Sequence, residues 1–70
     1  MRKYLVIYEK SKTGYSAYVP DLQGCTSAGK NRTEIEENIV EAIKFHIELM
    51  EEEGLPIPLP SSDSEMLVFA

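Results

Sequence analysis

Cys25 and His46 are the two side chains of this 70-residue chain whose chemistry could make a nucleophile and its general base. The chain has one cysteine and one histidine, so no internal disulfide can form, and a zinc site would need several carboxylates in addition. The neighbours of both residues argue for packing instead. Cys25 follows Gly24 in a run of small residues, where a cysteine serves as a compact hydrophobe. His46 falls in the middle of an apolar helical stripe, with no acid at a suitable spacing on its side of the helix. It reads as a half-buried core histidine with its ring on the sheet.

The carboxylates fail a similar test. A metal-dependent nuclease needs acids that converge from several strands and a helix. Here the strands offer only Glu9, and Asp21 stands alone in a turn. No glycine-rich phosphate loop and no basic, aromatic surface for RNA is present. The expectation is a chain that is not an enzyme and holds neither metal nor cofactor.

Charge carries more information. Residues 1–32 sum to +4 and residues 33–70 to −9, for a net charge of −5. The acids gather in one predicted helix, where Glu37, Glu41, Glu48, Glu51 and Glu52 line the polar face around Lys44. Phosphate neutralisation supplies most nucleic-acid affinity, so such a face disfavours direct binding to DNA or RNA. It favours a basic protein, whose approach it would steer. These five glutamates are the candidate partner-binding residues.

The elements that must position these groups are legible in order. Tyr4 to Glu9 is a β-branched and aromatic run, hence a strand, and Lys10 to Gly14 is a polar hairpin loop. Tyr15 to Val19 alternates as a second strand until Pro20, which cannot donate to a ladder. Pro20 to Gly24 turns the chain, and a third strand runs from about Cys25 to Ala28 or Lys30. Two capping pairs, Asn31 with Glu34 and Thr33 with Glu36, compete to start the helix, and Asn31 is preferred. The helix runs to Glu53 and stops at Gly54. Its apolar arc centres on Ile35, Ile39, Ala42, His46 and Met50. With Ile43, Phe45 and Leu49 alongside, and Val40 and Ile47 beyond, that arc is wider than a small sheet can cover. Leu55 to Pro60 has proline at every other position and reads as an extended connector. Glu65 to Phe69 reads as a fourth strand.

The order β-β-β-α-β predicts a single α+β domain over residues 1–70: a three-stranded antiparallel meander with one helix on one face. The last strand is expected beside the first and parallel to it, in sheet order 3-2-1-4. A chain of this length buries only about 60% of its unfolded surface and usually needs a staple. The wide helical arc and a sheet with apolar groups on both faces point to a homodimer or higher homo-oligomer. No run is long enough to span a membrane, no signal peptide is legible, and the lone cysteine suits a reducing cytoplasm.

From Tyr4 to about Ser62 the chain resembles the HicB antitoxins, partners of HicA ribonuclease toxins in bacterial toxin–antitoxin pairs. The matching residues are Tyr15-Ser-Ala-Tyr-Val-Pro-Asp-Leu, Gly24-Cys25, Gly29, Glu36-Glu37-Asn38, Glu41-Ala42-Ile43, Phe45-His46, Glu52-Glu53-Gly54 and Pro56-Ile57-Pro58. Gln23 stands where the family usually has proline, and Asn31 where it usually has threonine. The resemblance implies a fold like a truncated ribonuclease H sheet without its acidic site. It also implies an antitoxin that binds a small basic HicA-type toxin that cleaves mRNA. Many members append a DNA-binding domain after the last strand; this chain reads as the short form, so operator binding is not expected of it. The alternative is a freestanding dimeric protein- or ligand-binding domain without a toxin partner.

Overall fold

Four short elements carry the architecture in a computed structural model that describes residues 2–70. They are β1 (Ile7–Lys10), β2 (Tyr15–Tyr18), β3 (Thr26–Gly29) and α1 (Arg32–Glu52). The strands form an antiparallel sheet in the order β1-β2-β3. Ile7 lies opposite Tyr18 and Tyr8 opposite Ala17, while Ala17 in turn faces Ser27 and Tyr15 faces Gly29. The first strand starts later than Tyr4 because β2 stops at Tyr18, ahead of Pro20, and leaves the residues before Ile7 without a partner across the ladder.

The helix starts where the preferred cap lies. The Asn31 side chain accepts the Glu34 N–H at 2.8 Å, and the Glu34 carboxylate accepts the Lys30 N–H at 3.0 Å. At the other end Leu55 N–H donates to the Met50 carbonyl and Gly54 N–H to that of Glu51, with Gly54 at φ +68°. This paired closure needs a left-handed residue, which glycine supplies without strain.

The helix lies over β3 and β2 but not over β1. Its docking point is Gly29, where a Cβ would sit 2.8 Å from the Ile35 backbone nitrogen. With no side chain there, Ile35 is driven to 0% exposure and Ile39 to 1%, against Ala17, Val19, Leu22 and Cys25. The Asn38 amide adds a bond to the Ala28 carbonyl at 2.9 Å. Sheet and helix are badly matched in length, however. Twenty-one helical residues span about 31 Å, whereas four-residue strands span about 13 Å. The second half of α1 therefore overhangs the sheet. Phe45 is 66% exposed, and Val40 and Leu49 are exposed too, so the wide arc expected from the sequence is only partly covered.

The expected fourth strand is not in the sheet. Residues 53–70 contain no strand, and Met66 to Phe69 are exposed, Val68 by 98%. The reason lies upstream of them. The Tyr4 hydroxyl donates to the Pro58 carbonyl, and both Ser61 and Ser62 are fastened to Asp21. The connector thus crosses from the entrance of β1 towards the β2–β3 turn, away from the free edge of β1.

Gly29→Ala tests the docking point. The added methyl must push the helix off the sheet, and we expect a loss of roughly 1–3 kcal/mol in urea unfolding with the strands' register unchanged by NMR.

Candidate partner-binding surface

All five sequence-predicted glutamates are exposed and share one face of α1. At 3.6 residues per turn, Glu37, Glu41, Glu48, Glu51 and Glu52 fall within an arc of about 100° and along about 22 Å of axis. Two ion pairs occur near them among the described residues: Lys44 with Glu41, and Arg32 with Glu36, each at 3.8 Å and well exposed. Such pairs contribute little. The face keeps a strongly negative field, with Lys44 its one interruption.

Phe45 and Val40 border this acidic stripe on its two sides, where helical spacing places them. A single wide apolar arc grouped both with the core, but they stand about 100–120° round the helix from the buried Ile35 and Ile39. The result is a charged surface with an aromatic group at its margin, a combination suited to holding a protein.

The histidine and the cysteine do not form a site. Cys25 is 3% exposed within the core, and burial raises its thiol pKa, which is the wrong direction for a nucleophile. His46 is half-buried, and the residues that share its groove come from the β2–β3 turn, the end of α1 and the connector. It lines a groove of about 360 Å³ with Gln23, Leu49, Met50, Leu55 and Pro58, between the end of α1 and the connector. Among the described residues no group of three or more His, Cys, Asp or Glu side chains could hold a metal ion.

Asp21 is the residue whose role the sequence concealed. Its carboxylate accepts the N–H and hydroxyl of both Ser61 and Ser62, four bonds of 2.8–3.1 Å. The Ser62 backbone and side-chain bonds lead in holding its pKa down at about 2, from an ordinary 3.8. A turn-forming aspartate and a clasp for a segment forty residues away look alike in sequence. At the far side of the molecule Arg32 stacks over the Tyr8 ring at 3.8 Å and ties the helix start to β1.

Comparison with known proteins resolves the family. A family model described as the HicB-like antitoxin of bacterial toxin–antitoxin systems matches residues 4–68. The chain belongs to the HicB-like antitoxin family. This HicB-like chain is 46% identical over 55 residues to a 14.9 kDa protein from the rep–hol intergenic region of Haemophilus phage HP1. The match covers 79% of the chain but 41% of the phage protein, so the chain spans less than half of that relative. A UPF0150 protein of Thermoplasma acidophilum is 39% identical over 62 residues, covering 87% of the chain and 90% of the relative. Among solved structures, a HicA3 and HicB3 toxin–antitoxin complex matches with a TM-score of 0.74 and 38% identity, over 86% of this chain and 70% of that one. The meander with a single helix is thus the HicB antitoxin fold, and the family is one of antitoxins rather than enzymes. No helix among the described residues is long and apolar enough to cross a membrane.

The Asp21 clasp should respond to acid. Its pKa is lower folded than unfolded, so its stabilisation is complete above about pH 4 and is lost as pH falls towards 2. Amide exchange at Ser61 and Ser62 should rise over that window, and Asp21→Asn should raise it already at neutral pH.

Proposed function

We propose that this chain is the antitoxin of a toxin–antitoxin pair and neutralises a small basic HicA-type toxin that cleaves mRNA. The observation that carries the reading is its 38% identity, over 86% of the chain, to a protein of the HicA3 and HicB3 complex. The acidic helix face supplies a physical basis for it. A row of carboxylates interrupted by a single lysine raises the local concentration of a basic partner and orients its approach. Once the partner has docked, desolvation of Phe45 and Val40 would supply affinity that charge alone does not. Neutralisation then needs no chemistry from the antitoxin, because covering the toxin's RNA-binding surface suffices. The same negative field opposes direct binding to nucleic acid.

We further propose that the protein works in the cytoplasm as a homodimer. The half-uncovered helix and the exposed Met66 to Phe69 support association, because a small domain seldom leaves this much large apolar surface in water. In that assembly residues 65–69 would act as the fourth strand, completing a sheet like a truncated ribonuclease H.

The test is titration against the basic protein encoded beside this chain. Glu48→Lys with Glu52→Lys should weaken binding at least tenfold, mainly through slower association. Phe45→Ala should weaken it roughly tenfold, through faster dissociation. No complex with the unmodified chain would defeat the proposal.

A further inference from the structure

The two edges of the sheet are not equivalent. The Val19 N–H donates to the Cys25 carbonyl, which fixes which backbone groups of β2 face β3. Since these groups alternate along an antiparallel strand, Tyr18 faces β1 and its partner Ile7 faces inward. Tyr8 and Lys10 therefore turn their N–H and C=O groups outward at the free edge of β1. By the same alternation Ala28 faces outward from β3, and there Asn38 already occupies its carbonyl. The edge of β3 is guarded by the helix, while that of β1 has no neighbouring strand among the described residues.

The same chain carries an unused strand. Glu65-Met-Leu-Val-Phe69 is apolar apart from its first residue, and the four apolar side chains are 64–98% exposed. The molecule as a whole is extended, through its overhanging helix and its last residues together. The radius of gyration is 13.6 Å, against about 11 Å for a compact chain of this length. Nor is the segment well placed to return to its own β1. From Tyr4 to Asp21 the connector moves inward across the sheet, and the clasp at Ser61 and Ser62 leaves only Asp63 and Ser64 in which to reverse.

We infer that residues 65–69 of one copy add as an edge strand to β1 of a second copy, reciprocally, so that the dimer is built by strand exchange. This rests on the homodimer reading above and specifies its geometry. The outward backbone groups of Tyr8 and Lys10 supply the ladder, and the apolar side chains leave water on addition. Reciprocity pairs both β1 edges and closes the assembly at two copies around a twofold axis.

The experiment combines light scattering with NMR amide exchange on the full chain. The expected result is a dimer in which the Tyr8 and Lys10 amides exchange at least tenfold more slowly than in the variant Leu67→Asp with Val68→Asp. That variant should be monomeric, with its helical circular dichroism retained. A dimer that persists unchanged in the variant overturns strand exchange while leaving the homodimer reading intact. A monomeric parent with protected Tyr8 and Lys10 amides places the segment on its own β1 and overturns both readings. A monomer with fast exchange at both positions also overturns both.

Discussion

Everything in this molecule is set by one close approach of two backbones, that of Gly29 in β3 and Ile35 in the first turn of α1. A side chain at Gly29 would meet the Ile35 nitrogen at 2.8 Å. Its absence lets the helix settle directly on the strand, and the core of Leu22, Ile35 and Ile39 closes around that contact. The contact also fixes where the helix begins along the sheet. Because the strands are short, its position dictates which helical residues lie over sheet and which lie beyond it. The exposed apolar side chains and the groove around His46 are consequences of that anchoring.

Local features of the sequence carried most of the fold. Alternation in Tyr15 to Val19, the stop at Pro20 and the cap at Asn31 each depend on neighbours a few residues away, and each forms as read. The failures share a cause. Strand β1 begins at Ile7 because of where its partner ends, His46 comes to share a groove with Gln23 and the connector, and residues 65–69 stay out of the sheet because a serine pair is clasped far from its position in sequence. All three depend on contacts distant in the chain, to which periodicity is blind. The candidate surface, by contrast, follows from helical spacing, which puts the carboxylates on one side of α1 and Phe45 at their margin. How far Phe45 is left uncovered depends on the length of the sheet.

The fates of Cys25 and Asp21 follow the same division. A thiol among small residues was readable as packing, and its burial within the core agrees. The aspartate four residues earlier has a long-range partner that no pattern could announce. A single carboxylate that gathers two backbone amides and two hydroxyls gives the proline connector a fixed end. It converts a segment with no ladder of its own into an ordered part of the domain.

The last turn of α1 contains no basic residue, although it is the end at which the helix dipole is negative. Glu48, Glu51, Glu52 and Glu53 crowd there instead, in mutual repulsion and in opposition to the dipole. The arrangement costs the free protein some stability, and a cationic partner would relieve it. Ionic strength should then act in opposite senses on the two states. Added salt screens the repulsion and firms the unbound chain, while it loosens a charge-driven complex. A chain designed only for its own stability would not place its acids there; one whose ordered lifetime is tied to a basic partner would.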